Sequence, residues 1–401
     1  MRNRAHTSPT IGLVLSGGGA RAAYQVGVLR AVADMLPRGS SSPFQVICGT
    51  SAGAINAAAV ATHARHFRSG VRGIESIWRD MHAGLVYRTG MSTLTFNALR
   101  WLAALFVSGL GTRSPASLLD NAPMRGLLAR FLRFQRLQEA IDSGALQALS
   151  VTASSYTTGE SVTFFQGRSD LEGWRRARRV GRPAHIGLIH LMASSAIPAV
   201  FPPVRIGEQY YGDGSVRQLA PVSPALHLGA DRVMVVGVGE SFTGAEDQAR
   251  QERPPSVAQV AGHMLDSAFL DSLEGDLERL QRVNRTLELI PERVRSRAGL
   301  RLRPVDTLVL EPSASLTRIA LEHAHELPRA MRFYLRGSGA TTDYTGAVIT
   351  SYLLFEAGFC SDAIRLGYHD AMAREEEILR FLGQDPAAIH GRAGRPPQDV
   401  W

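Results

Sequence analysis

Within its first 64 residues the chain twice runs from a short apolar stretch through a glycine-containing turn into a helical pattern, and nothing else in the sequence restricts the fold as much. The first stretch, residues 11–16 (IGLVLS), ends at Gly17, Gly18 and Gly19. An apolar run without alternation suits a strand buried on both faces of a parallel sheet. Tyr24, Val28, Leu29, Val32 and Leu36 then recur at helical spacing, predicting a helix over 21–35 that stops before Pro37. The second stretch, 44–48 (FQVIC), leads across Gly49, Thr50 and Ser51 into 52–63 (AGAINAAAVATH), a helix small enough in its side chains to lie close on a sheet. Two such units with right-handed crossovers predict an α/β, doubly wound core.

Beyond them, helices are expected at 71–82, 95–107, 122–134 and 185–196. Strands are expected at 146–155 and 161–165 around a turn at Thr158-Gly159, at 232–238, and in a hairpin over 204–211 centred on Gly207-Glu208. A helical stretch at 257–284 is followed by strands at 286–290 and 307–310 and by a long helical region at 347–382. No internal repeat and no linker composition interrupts the chain. One embellished domain is expected, with a core over 11–240, a mostly helical C-terminal extension over 241–383 packed on it, and a flexible tail rich in Pro, Gly and Ala over 384–401.

Composition excludes several function classes. All 44 basic residues are arginine, and against 36 acidic residues they leave a net charge of +8. Arginine at every basic position points to a coding bias more than to selection for a partner, though attraction to anionic lipid or phosphate stays open. The densest run, 174–182 (WRRARRVGR), lacks interleaved aromatics and is read as a solvated turn or helix face, so no nucleic-acid partner is expected. Cys48 and Cys360 are too few for a disulfide framework or a zinc site and suit a reducing, cytoplasmic setting. No acidic loop of alternating Asp and Asn suggests calcium; neither metal nor cofactor is expected. Residues 1–10 are polar and the apolar run after them is too short for a secretory signal. No stretch reaches the roughly 20 apolar residues of a spanning helix. Residues 94–110, broken by Asn97 and Arg100, read either as a buried helix or as an interfacial lid over a substrate entrance, so the protein is expected to lie at most on a membrane surface. Oligomeric state leaves no mark in the sequence.

The chemistry concentrates in three places. Gly49-Thr50-Ser51-Ala52-Gly53 matches G-x-S-x-G between a strand and a helix. A nucleophilic serine on that sharp turn needs small neighbours two positions away on both sides, which Gly49 and Gly53 supply. The helix that follows aims its N-terminus at the site and favours developing negative charge. Ser16-Gly17-Gly18-Gly19-Ala20-Arg21, after the first strand, leaves backbone N–H groups free to face an anion, as an oxyanion hole requires. Gly17, Gly19 and Ala22 also satisfy the dinucleotide pattern G-x-G-x-x-[GA]. That pattern wants an acidic residue ending the second strand, where this chain has Ser51, while Asp34 falls inside a helix. An activated serine needs a base, and His185, His190, His227, His323 and His325 all lack a compelling context. Asp213, boxed in Tyr211-Gly212-Asp213-Gly214-Ser215 at a strand end, is the best candidate to act directly on the serine.

Taken together, the GGGAR loop, the GTSAG turn and the later Asp-Gly box resemble the patatin-like phospholipases in order and approximate spacing, over residues 11–238. The stretches 119–124 (LDNAPM), 193–198 (ASSAIP) and 201–203 (FPP) add to the likeness. The resemblance implies a three-layer fold with a central, mostly parallel sheet flanked by helices, and a Ser–Asp dyad that hydrolyses acyl esters of lipids. Ser51 would be the nucleophile, Asp213 its partner, and Gly17, Gly18, Gly19, Ala20 and Arg21 the oxyanion and substrate-binding loop. The substrate would be a lipid or another acyl ester, with peripheral membrane contact left open. Arg21 would either steady the loop, meet a lipid phosphate, or form a structural ion pair. Two positions depart from the family pattern: Ala22 and Ser215 stand where it has Gly and Gly or Ala. Passing the acyl group to an alcohol instead of water, or binding a nucleotide on the glycine loop, are the alternatives.

Overall fold

The computed structural model describes residues 9–88, 90, 117–239, 257–268, 272–299, 302–337 and 344–390. The helix expected at 95–107, the lid reading of 94–110 and the last eleven residues of the tail lie outside these.

A ten-stranded mixed sheet, with the order β10-β9-β1-β2-β3-β4-β6-β5, forms the centre. Its middle comprises β1 (Ile11–Leu15), β2 (Val46–Thr50), β3 (Ala148–Ser155) and β9 (Arg232–Val236). All pair in parallel, as does β10 (Asp306–Leu310) on the outside of β9. Every residue of β1, β2 and β3 is buried, as an uninterrupted apolar run in a covered parallel sheet requires. On the other side β4 (Ser161–Gly167) returns antiparallel to β3 through the turn in which Gly159 adopts φ 67°. The run 174–182 is neither a turn nor a helix face. It forms the hairpin of β5 (Trp174–Arg176) and β6 (Arg179–Pro183), turned at Arg178 with φ 56°. Trp174 stacks on Phe165 and His227 at ring distances of 5.2 and 4.7 Å, while Arg175 and Arg176 face solvent. The expected hairpin appears as β7 (Val204–Ile206) and β8 (Gln209–Asp213).

Helices α1 (Ala23–Met35) and α2 (Ala52–Thr62) are the crossovers after β1 and β2. Beside α2 lies α3 (Phe67–Arg79), while α4 (Ala122–Phe131) packs on α5 (Leu188–Ser194), which in turn packs on β3 and β8. Two C-terminal helices complete the layer: α6 (Tyr344–Leu353) packs on the short turn Gly19–Ala22, and α7 (Ala357–Ala373) packs along α1. There α1 and α7 meet backbone to backbone: a Cβ on Gly27 would strike the Ile364 carbonyl, and one on Gly367 the Tyr24 carbonyl. The helix Ser272–Glu288 runs through Thr286 and Leu287, where a strand was expected. Leu273, Leu277 and Leu287 keep helical spacing and are buried, so the apolar stripe of the preceding turns carries the helix on. Among the described residues no single helix is long and apolar enough to cross a membrane.

Candidate functional site

The turns after β1 and β2 lie at the carboxyl end of the parallel strands, where α/β sheets open to ligands. The sharp turn between β2 and α2 is set by sterics. Ser51 sits at φ 55°, ψ −130°, a region that costs a non-glycine residue about 1–3 kcal/mol and persists only when its surroundings enforce it. The enforcement is visible on both sides. A Cβ on Gly49 would lie 2.5 Å from Ala54 Cα, and one on Gly53 would strike the Ser16 and Leu15 carbonyls. The Ser51 N–H donates to Ser194 Oγ at 2.9 Å, and that hydroxyl donates in turn to Thr152 O at 2.6 Å.

Asp213 arrives from the opposite direction. Strand β2 follows the edge of β3 as far as Thr50, opposite Thr152. Antiparallel β8 takes over that same edge and ends at Asp213, opposite Ala153. The two strands thus meet end to end, one delivering Ser51 and the other Asp213. Gly214 is needed there because a Cβ would strike the Thr152 carbonyl. Asp213 is fully buried; its N–H donates to Ala196 O at 2.8 Å, and its Oδ1 accepts the Ser215 N–H at 2.9 Å. Its Oδ2 is buried without a hydrogen bond of ordinary geometry among the described residues. Burial pushes the carboxyl up to about 6, with the Ser51 hydroxyl foremost among the groups that draw it back.

The glycine loop completes the arrangement. Gly19 has φ 55°, and a Cβ there would strike the Tyr352 carbonyl on α6. The N–H groups of Gly17 and Gly18 find no acceptor among the described residues. Gln25 Nε2 donates to Ser16 O at 2.8 Å and Asn56 Nδ2 to Gln25 Oε1 at 3.0 Å, so one buried amide chain ties the loop to α1 and α2. Arg21 turns away from the serine. Only 1% exposed, it donates from Nε to Ser351 Oγ at 2.7 Å and from Nη2 to Thr317 Oγ1 at 2.9 Å. Its guanidinium also lies 3.5 Å from Asp266 and 4.3 Å from the centre of the Tyr352 ring. Of the three readings for Arg21, anchoring of the loop and a structural ion pair, here with Asp266, both fit this placement, and a lipid-phosphate contact does not.

Ser51 and Gly19 line one apolar cavity. Ile55 and Ala59 of α2, Ile74, Ile77 and Trp78 of α3, and Met124, Leu127, Leu128 and Phe131 of α4 form its walls, with Ile197, Phe201 and Phe355 completing it. Among the described residues no histidine lines it. His190 Nδ1 accepts the Gly187 N–H at 3.1 Å, and His323 lies between Glu326 and Asp362 at 2.7 and 3.0 Å. Asp34, the acid that a dinucleotide site would need, is spent on Arg30 and Arg68, each at 2.8 Å. Ser194 is the contributor that spacing missed. It lies in ASSAIP, but nothing in that string says its hydroxyl reaches the main chain of residue 51.

A family model described as patatin-like phospholipase matches residues 13–226, more than half of the chain, and the chain belongs to that family. Among solved structures it is similar to VipD from Legionella pneumophila at 14% identity and TM-score 0.36, covering 92% of this chain and 67% of that one. Human GIVD cytosolic phospholipase A2, in complex with methyl gamma-linolenyl fluorophosphonate, is similar at 13% identity and TM-score 0.39, covering 96% and 60%. ExoU of Pseudomonas aeruginosa is similar at 14% identity and TM-score 0.28, covering 92% and 53%. The chain thus spans three fifths of the human protein and about half of ExoU. No curated protein matches it.

Proposed function

We propose that the protein hydrolyses lipid acyl esters, in the manner of a phospholipase A or lysophospholipase, through an acyl-enzyme on Ser51. The reading rests on the meeting of β2 and β8 along one edge of β3, beside an apolar cavity that Ser51 shares with the glycine loop. Ser51 Oγ attacks the ester carbonyl carbon while Asp213 accepts its proton. The carbonyl π pair moves onto oxygen, where main-chain N–H groups between Gly17 and Ala20 receive it. Collapse expels the alcohol, which takes the proton back from Asp213. Water, losing its proton to the same carboxylate, then adds to the acyl carbon, and collapse expels Ser51 Oγ, which takes that proton back as the acid leaves. The apolar walls suit an acyl chain, and a carboxyl near 6 is ionised at neutral pH while still basic enough to help.

The test is labelling with a fluorophosphonate probe and release of fatty acid from a phospholipid panel. Wild type should label at Ser51 and release fatty acid, and Ser51→Ala should do neither. Hydrolysis retained by purified Ser51→Ala protein refutes the assignment. Adding an acceptor alcohol to the assay and analysing the products tells whether the acyl group passes to water or to the alcohol.

A further inference from the structure

One polar side chain in the cavity is left without a hydrogen bond among the described residues. Ser195 is 6% exposed, lines the cavity with Ser51 and Gly19, and its Oγ has no hydrogen-bond partner among the described residues. The other polar groups there are committed. Asn56 donates to Ala22 O and Gln25 Oε1 and accepts from Trp78 Nε1. A buried hydroxyl left unsatisfied is costly, and a wholly aliphatic occupant would leave it so.

Its place in the chain fixes which part of an occupant it meets. Ser194 Oγ accepts the Ser51 N–H, and Ala196 O accepts the Asp213 N–H, at 2.9 and 2.8 Å. Ser195 lies between these two bonds in the chain, flanked by the residues that hold the main chain of Ser51 and of Asp213, and it lines the cavity that Ser51 lines. We infer that the Ser195 hydroxyl is a further catalytic residue, donating a hydrogen bond to the carbonyl oxygen of the ester as Ser51 adds to it. The inference rests on the hydrolase reading above. Ser195 forms and breaks no covalent bond. The proton still passes from Ser51 to Asp213, and the hydroxyl joins the glycine-loop N–H groups in holding the oxygen as it becomes negative.

The test compares wild type, Ser195→Ala and Ser195→Thr on p-nitrophenyl esters of short and long acyl chains, with the rate of fluorophosphonate labelling and the melting temperature alongside. Ser195→Ala should lower kcat and the labelling rate about 10- to 100-fold, equally for every chain length. KM should hardly move, because the bond matters only as charge develops, and the melting temperature should hold or rise by about 1–3 °C, because alanine removes the unsatisfied buried hydroxyl. Ser195→Thr keeps the hydroxyl and should retain most of the rate. Unchanged kcat in Ser195→Ala overturns the inference, as does a loss that grows with chain length or one matched by a fall in melting temperature. A wild type that neither labels nor turns over ester fails the hydrolase reading itself, which separates the two outcomes.

Discussion

Ionised Asp213 is expensive to the fold, and the substitution Asp213→Asn measures by how much. The carboxyl is fully buried, one of its oxygens lacks a partner of good geometry, and its pKa rises from 3.8 to about 6. An acid whose folded pKa lies above its unfolded value binds its proton more tightly when folded. Stability is therefore greatest below pH 4 and falls as pH rises through the window between the two values. The gap of about two units corresponds to about 3 kcal/mol, lost in full above pH 6. Asparagine keeps the oxygen that accepts the Ser215 N–H and cannot ionise, so it escapes the cost. With an unfolding entropy of ~2.1 cal/mol/K per residue over 401 residues, Asp213→Asn should melt about 3–4 °C above wild type at pH 8, and the two should converge near pH 4. The same ionisation supplies the base, so wild-type kcat/KM should rise with pH to a plateau with an apparent pKa near 6, and the variant should be inactive. Thermal melts between pH 4 and 8, with ester hydrolysis over the same range, check both. A variant that melts below wild type at every pH, or a rate flat from pH 5 to 7.5, refutes the reasoning.

Two further outcomes concern the glycine loop. Gly19→Ala forces a side chain into φ 55° and against the Tyr352 carbonyl, so the fluorophosphonate labelling rate should fall at least 100-fold, as expected when an oxyanion donor is displaced; labelling at the wild-type rate contradicts the loop's role. Arg21→Met strips Ser351, Thr317 and Asp266 of a buried donor, so denaturant titration should register a loss of about 2–4 kcal/mol, with Arg21→Lys recovering little because an ammonium cannot span the same partners.

What the sequence could reveal of this site was whatever sterics write into adjacent positions. Gly49, Gly53 and Gly214 are legible because each faces backbone too close for a Cβ, and that demand falls on one residue at a time. The strands β1, β2 and β9 are legible for a like reason, since burial on both faces leaves only apolar side chains. Partners brought from afar leave no such mark. Nothing near Arg21 tells that its charge is met from Thr317 and Ser351, and nothing near Trp174 tells that its ring closes over Phe165 and so turns a basic run into a strand pair. The helix continued through Thr286 shows the complementary failure: a locally alternating pattern yields when the apolar stripe behind it is already helical.

The anchoring of Arg21 bears on when such a protein becomes competent during its own synthesis. The arginine leaves the ribosome 330 residues ahead of Ser351, its partner at 2.7 Å. By the time Asp213 has emerged, every signature motif is already outside, yet the main-chain cradle still lacks Thr317, Ser351 and the Tyr352 ring that hold it in place. A nascent chain halted before residue 317 would thus display the complete set of family motifs on a loop still unbraced until the last helices arrive.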